Sequence, residues 1–187
     1  MRAQTYKLLA LFGAMIVLTA ASVVMADNNA FAPVVADASQ CTVVVQNNQQ
    51  IQKAVSPARS GAVICVRGGV YHEQIKIKPT NAGITLMAYP GEQPILDGRN
   101  VLPPVTSKNG TPPLLLVSAE NVVVDGLEIR NSKSRGITVS KSNVVIRNVI
   151  VRDSRSIGLV VTGTSSNVVR NVLVEDSIVY NNLLDNA

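Results

Sequence analysis

The feature that most constrains this sequence is a repeat in its last third. Residues 125–132 recur as residues 147–154 and again as residues 170–177. Two more rows of similar segments keep about the same spacing: residues 121–124, 143–146 and 167–170 in one row, and residues 135–139 and 157–161 in the other. Each repeat therefore predicts three short apolar strands with no helix between them.

This spacing decides how the strands can pair. Parallel neighbours in a βαβ sheet need a crossover of a dozen or more residues, and the repeat leaves no room for one. A coil meets the constraint, because each strand then pairs with its counterpart one repeat later, about 4.8 Å away, and three parallel sheets surround a narrow apolar core. A leucine-rich repeat also has a period in the twenties, but it has one strand per repeat and a Leu-rich consensus that this sequence lacks.

The repeat also predicts which side chains face the core and which lie at the corners. Alternation with period two gives aliphatic ladders, whose predicted members are Leu127, Ile129, Val149, Val151, Val172 and Val174. Corner asparagines can bond backbone groups or stack from coil to coil. The aligned sets are Asn148 with Asn171, and Asn121 with Asn143 and Asn167. A surface ion pair is expected between Arg152 and Glu175, one coil apart.

The chain before the repeat predicts a strand at residues 42–45, then one helix and further strands. Ile51, Ala54 and Val55 recur at helical spacing, and Pro57 and Gly61 end the helix. Strand-like runs follow at residues 63–66, 73–77, 84–89 and 114–117. Residues 97–113 contain four prolines and scattered polar residues, which is typical of a long surface excursion and often of a functional loop.

The N-terminus has the pattern of a secretory signal over residues 1–26. Arg2 and Lys7 precede a nearly uncharged apolar run, and small residues allow cleavage just before Asp27. Residues 27–40 lack a period and predict a flexible lead-in. An uncleaved anchor is the alternative, because the apolar run is nearly long enough to span a bilayer. The mature protein is predicted to be secreted, extracellular or periplasmic, with no further membrane segment.

Charge and thiol content narrow the functional class. Cleavage would lower the formal net charge from +5 to +3, and the sequence has no Lys/Arg run and no basic strand with interleaved aromatics, so nucleic-acid binding is not predicted. The remaining positive charge is compatible with a polyanionic ligand. Cys41 and Cys65, the only cysteines, could form a disulfide in an oxidising compartment. The alternative is two small buried residues, since Cys65 lies in an apolar run.

Two passages near the N-terminus carry a family resemblance. Gly-x-Tyr at residues 69–71 is followed by Ile-Thr-Leu-x-Ala-Tyr-Pro-Gly-Glu-x-Pro-x-Leu-Asp-Gly at residues 84–98. With the helix and the repeats, they make the chain from about Cys41 onward resemble the pectin-lyase-like superfamily of secreted, right-handed parallel β-helices. The passages are similar to those that open polysaccharide lyases acting on uronic-acid polymers, including alginate-lyase-like and pectate-lyase-like proteins.

The resemblance implies an all-β fold. We expect a single-stranded right-handed parallel β-helix over residues 41–187, with coils of about 22–24 residues, three short strands per coil and a short N-terminal capping α-helix. Such proteins generally have many more coils, so the domain is expected to be incomplete at its C-terminus, and an open last coil would favour self-association. Tyr71 and Tyr89 are expected to pack at the core edge, and His72 to be exposed.

The resemblance also implies β-elimination by a Lys or Arg base, with calcium or basic residues neutralising the uronate carboxylate. Asn131, Asp153 and Asp176, which the alignment places one coil apart, could supply oxygen ligands to calcium. The alternative is that these residues only satisfy backbone groups in turns.

Basic residues cluster near the same turns, and the set consists of Lys133, Arg135, Lys141 and Arg155. They could bind an acidic polysaccharide, or they could be a solvated edge that discourages pairing between chains. No position matches a catalytic motif. The leading hypothesis is a secreted polysaccharide-degrading protein, lyase-like toward uronate-containing polymers. The alternative is a non-catalytic β-helix that serves as a surface, adhesion or scaffold module.

Overall fold

A computed structural model describes residues 37–99 and 112–183, and these ranges contain fifteen strands and one α-helix. In chain order the elements are β1 (Val43–Val45), α1 (Ile51–Val55), β2 (Val63–Val66), β3 (Gly69–Tyr71), β4 (Ile75–Ile77), β5 (Thr85–Ala88), β6 (Pro94–Asp97), β7 (Leu115–Val117), β8 (Val122–Asp125), β9 (Glu128–Arg130), β10 (Ile137–Val139), β11 (Val144–Arg147), β12 (Ile150–Arg152), β13 (Leu159–Val161), β14 (Val172–Glu175) and β15 (Ile178–Tyr180).

The strands form three parallel sheets, because each strand pairs with strands of neighbouring coils. Sheet A has the order β1-β2-β5-β8-β11-β14, sheet B the order β3-β6-β9-β12-β15, and sheet C the order β4-β7-β10-β13. One turn of the chain contributes one strand to each sheet. The predicted all-β parallel β-helix is thus confirmed, although sequence periodicity did not identify β3 and β6.

Side chains that alternate along each strand build the core. In sheet B, Leu96, Ile129 and Val151 are stacked in register and are at most 1% exposed, while their strand neighbours face outward. The predicted inward residues Leu127 and Val149 are also buried. The aliphatic ladders therefore follow the predicted alternation through these coils.

The last described coil has a different register from the predicted one. It is longer than the coil before it, so Val151 pairs with Val179 and not with Val174. Val172 is half-buried and Val174 is 41% exposed, because no described strand pairs with the far side of β14. The last described coil therefore exposes positions that are buried in the coils before it.

The corner asparagines show where the register of the last coil changes. Asn121, Asn143 and Asn171 all have left-handed backbone, with φ of 58°, 58° and 54°, and Asn tolerates this conformation better than most residues. The Asn171 amide donates to Asn143 Oδ1 at 3.0 Å. The predicted third member, Asn167, instead bridges to Thr164 in an inserted turn. Asn167 and Asn171 both precede apolar residues, so the sequence pattern alone did not distinguish them.

The short helix α1 packs at the first coil, as predicted. Ile51 and Val55 are fully buried. The Glu73 carboxylate accepts hydrogen bonds from the N–H groups of Ile51 and Gln52 at 2.7 and 2.9 Å, which would otherwise lack partners at the helix start. At the helix end, the buried Asn81 amide donates to the Val55 carbonyl at 2.9 Å.

Cys41 and Cys65 form the disulfide that was one of the two alternatives, and Cys65 is also fully buried. The predicted signal, the lead-in up to residue 36 and the centre of the proline-rich excursion, residues 100–111, lie outside the described residues. Within the described ranges, no helix combines the length and apolar character needed to cross a membrane.

A charge at an inward position should prevent core packing. Val151→Asp would place a carboxylate without a partner between Ile129 and Val179, and should cost several kcal/mol or abolish folding. Leu173→Asp is the control, because Leu173 is 48% exposed on the outer face of sheet A, and should cost under about 1 kcal/mol. Urea unfolding measures both variants, and equal losses would contradict the register.

Removal of the disulfide should destabilise the capped end. The bond joins residues 24 positions apart, and the double variant Cys41→Ser/Cys65→Ser should lose about 3 kcal/mol of unfolding free energy. A reducing agent should lower the melting temperature of the wild-type protein and leave that of the double variant unchanged. If the reducing agent lowered the melting temperatures of both proteins equally, loss of this disulfide would not explain the change.

Candidate functional site

Most ion pairs between described residues lie on the outer face of sheet B. The participants, which we call the charged face, are Asp97, Arg99, Glu128, Arg130, Arg152 and Asp153. Alternation explains their direction: Ile129 faces inward, so Glu128 and Arg130 on either side face outward. Parallel pairing aligns Asp97, Arg130 and Arg152 in one column, with about 4.8 Å between steps.

Asp97 lies at the base of this face. Its side chain is fully buried, and its carboxylate accepts hydrogen bonds from the backbone and guanidinium of Arg99, from Arg130 Nε at 2.9 Å and from Asn131 Nδ2 at 3.1 Å. Burial by itself raises the pKa of the Asp97 carboxyl, but these donors outweigh it and hold the pKa well below its usual range. Asp97 is therefore an anion that anchors two arginines.

Glu128 plays a similar role in the next coil. Its Oε1 accepts from Arg152 Nε at 2.9 Å and lies 3.5 Å from Arg130 Nη1, and Asp153 holds Arg152 from the side. Burial lowers the pKa of Arg152, but Asp153 and Glu128 outweigh this and raise it above its usual value. The predicted pairing of Arg152 with Glu175 is wrong, because Glu175 lies in β14 of sheet A.

The arginines of this face are more exposed than the carboxylates of Asp97 and Glu128, whereas Asp153, at 20%, is about as exposed as Arg130. The side chains of Arg99, Arg130 and Arg152 are 64%, 18% and 25% exposed, whereas those of Asp97 and Glu128 are 0% and 10% exposed. A ligand that approaches sheet B therefore meets the guanidinium groups of Arg99 and Arg152 before the carboxylates of Asp97 and Glu128. Guanidinium binds a carboxylate through paired hydrogen bonds. A protonated arginine is unsuited to remove a proton, so the face fits anion binding better than base catalysis.

The structure divides the predicted basic set between two corners. Lys133 and Arg135 lie in the turn from β9 to β10, and Arg155 lies in the same turn one coil later. These three adjoin the strand ends of the charged face. Lys141 lies between β10 and β11, with Nζ 2.8 Å from Asn167 Oδ1. The prediction that Lys141 shares the turn of the other three is therefore wrong.

The predicted calcium row is not assembled as aligned. Asn131 and Asp153 share a corner, with φ of 53° and 55°, but the third member there is Asn181, with φ of 50°. Asp176 follows β14 at another corner, where it matches Asn148 one coil earlier. The predictions that Asp176 belongs to this row and that Asn148 pairs with residue 171 are both wrong. The inserted turn lengthens the last coil and so shifts its alignment with the coil before it.

The two row members that do lie together are engaged in hydrogen bonds with other protein groups. The Asn131 amide donates to Asp97, and Asp153 accepts from Arg152 and Asn181. A calcium site needs six to eight oxygen ligands, so these side chains do not fit one as they are arranged. In residues 37–99 and 112–183, no group of three or more His, Cys, Asp or Glu residues is placed to hold a metal ion.

Other sequence predictions hold at the N-terminal coils. Tyr71 is 4% exposed and its hydroxyl donates to the Arg67 carbonyl at 2.7 Å. Tyr89 is half-buried, with the Arg67 guanidinium 4.4 Å above its ring, and both tyrosines pack at the core edge. His72 is exposed, and its Nδ1 lies 3.2 Å from the Asp97 carbonyl oxygen.

The sequence pattern did not lead to a prediction of the charged face, although part of it is visible in the repeat. Arg130 and Arg152 occupy the same position of consecutive repeats, which predicts two cations in one column. Asp97 could not be found from the repeat, because it lies at the start of the excursion, ahead of the repeat, and its partners Arg130 and Asn131 are 33 and 34 residues away.

Neutralisation of Asp97 should weaken the folded state in a pH-dependent way. Folding lowers the pKa of Asp97, so its contribution to stability is present above the unfolded-state pKa of about 3.9 and is lost as the pH falls below it. At about pH 7, Asp97→Asn should cost about 2 kcal/mol of unfolding free energy, and this deficit should shrink below about pH 4.

The exposed Asp176 gives the matched control. Asp176→Asn should change the unfolding free energy by less than about 0.5 kcal/mol at either pH. Urea unfolding of both variants and the wild type across this range measures the difference. A deficit for Asp97→Asn that stayed constant with pH would contradict its role as a buried anion.

Comparison with known proteins agrees with the fold. A family model described as "Pel9A-like, right handed beta helix region" matches residues 31–186. Among solved structures, the chain is similar to the pectin methyl esterase of the rice weevil, with a TM-score of 0.58 and 18% identity over 80% of this chain and 52% of that one. It thus spans about half of that protein, and the likeness concerns the fold alone. No curated protein matches. Because the family model covers most of the sequence, this chain belongs to the Pel9A-like right-handed β-helix family, with the pectin-lyase-like fold that the N-terminal passages resemble.

Proposed function

We propose that this protein binds an acidic, uronate-containing polysaccharide on the charged face of sheet B and belongs to the lyase-like, polysaccharide-degrading β-helices. The observation that carries the proposal is the column formed by Arg130 and Arg152. Their guanidinium groups lie in consecutive coils, outside the carboxylates of Asp97 and Glu128 that hold them. The sequence predicts export through residues 1–26, which is consistent with an extracellular or periplasmic polymer as substrate.

The spacing of the column supports a polymeric ligand. Consecutive coils repeat at about 4.8 Å, and a polyuronate carries one carboxylate per sugar, so neighbouring guanidinium groups can meet carboxylates of one chain. Asp97 and Glu128 limit the motion of Arg130 and Arg152, which reduces the entropy lost on binding. Lys133 and Arg155 at the adjoining turn extend the region that such a chain can contact.

In β-elimination, a base removes the C5 proton next to the uronate carboxylate, cations stabilise the resulting negative charge, and the glycosidic C4–O bond breaks as the C4=C5 double bond forms. Arg130 and Arg152 suit the second task, because they are held as cations beside the ligand. No base is assigned among the described residues. Calcium stays a prediction from the resemblance, and the neutralisation proposed here relies on this chain's own arginines.

The comparisons support a pectin-related polymer as the first one to test. The structural neighbour is a pectin methyl esterase, which shares the fold and about half of its length with this chain. The competing proposal is a non-catalytic surface, adhesion or scaffold module.

Binding and cleavage can be separated in one experiment. The mature protein is incubated with polygalacturonate, alginate or chondroitin, with calcium or with a chelator, and ultraviolet absorbance records unsaturated uronate ends. Affinity electrophoresis measures binding on the same polymers. We expect binding to one of them, and Arg152→Gln should weaken it about tenfold, because one charged hydrogen-bonding group is lost.

Arg170→Gln is the matched control, since Arg170 is exposed and precedes β14 away from sheet B. It removes the same charge and should leave binding within about twofold of wild type. Melting temperatures confirm that both variants are folded. Binding without unsaturated product would favour the scaffold module over the lyase, and equal effects of both variants would show that the charged face is not the binding site.

A further inference from the structure

Tyr180 extends the charged column by one more coil. It pairs with Arg152 in the register of β12 and β15, and Ile178 pairs with Ile150 beside it. Tyr180 is 49% exposed and Ile178 is 58% exposed. Val179 between them is the inward position of the strand, so both neighbours face outward with the charged face.

This tyrosine differs from the other two aromatic residues of the described ranges. Tyr71 is buried, and Tyr89 has the Arg67 guanidinium over its ring. Tyr180 faces outward in the same column as Arg152, one coil further along sheet B. Tyr180 is therefore the one tyrosine of the described ranges that lies in the column of the charged face.

We propose that Tyr180 is the sugar-ring platform of the charged face: a pyranose ring of the uronate polymer stacks on Tyr180 while its carboxylate binds Arg152. The proposal rests on the proposed function and adds a residue that determines ligand class. A pyranose has an apolar C–H face that packs on an aromatic ring, whereas its carboxylate needs a cation. Ile150 and Ile178 continue the apolar surface beside the ring.

This arrangement distinguishes sugar polyanions from other polyanions. A flexible polycarboxylate without rings can satisfy Arg130 and Arg152 but has no face to place on Tyr180. An acidic sugar polymer uses both groups. Tyr180 should therefore contribute to affinity for oligouronates and not to affinity for a polyanion as such.

The test compares two ligands and three variants. Binding of an oligogalacturonate and of poly-L-glutamate to the mature protein is measured by calorimetry for wild type, Tyr180→Ala, Tyr180→Phe and Leu173→Ala. Leu173 is the matched control, since it is 48% exposed on the last coil but lies in sheet A. Melting temperatures verify that each variant is folded.

We expect Tyr180→Ala to weaken oligogalacturonate binding roughly three- to tenfold. Tyr180→Phe, which keeps the ring, and Leu173→Ala should both stay within about twofold of wild type, and poly-L-glutamate binding should not change in any variant. Wild-type affinity in Tyr180→Ala, or an equal loss for both ligands, would overturn the platform while leaving the proposed function in place. Failure of the wild-type protein to bind any oligouronate would overturn the proposed function and the platform with it.

Discussion

The structure depends on hydrogen bonding between each strand and its counterpart in the next coil. All strand pairs between described residues are parallel, and they fix which side chain lies above which. Once Ile129 pairs with Val151, every residue along those two strands is assigned to the core or to the outer face, because the side-chain period is two. The core, the corners and the charged face are all consequences of this one pairing rule.

Corner residues keep that pairing in register. Asn121, Asn143 and Asn171 adopt left-handed backbone at one corner, and a side-chain hydrogen bond links the last two. Asn tolerates this conformation, which lets the backbone turn into the next sheet. The inserted turn around Thr164 shows that a coil can lengthen without losing register, provided that the corner residue is kept.

The charged face illustrates how a regular fold can carry specific chemistry. A carboxylate at the base of an outward column, Asp97, is costly to bury unless donors surround it, and Arg99, Arg130 and Asn131 supply them. The same contacts fix the direction of the arginines. Stability and the proposed ligand binding therefore depend on the same cluster of residues.

The sequence by itself determined the coil architecture, the inward ladders through Val151 and the residues available for the disulfide, because a short repeat with period-two alternation leaves few ways to bury its apolar side chains. Only the tertiary structure decided the register of the last coil, the partners of Asp97 and the placement of Tyr180 beside Arg152. Local patterns around Asn167 and Asn171 are nearly equal, so the choice between them comes from the hydrogen bonds that pair β14 with β11. Those bonds pair residues 28 positions apart, and a pattern that describes only near neighbours along the chain does not contain them.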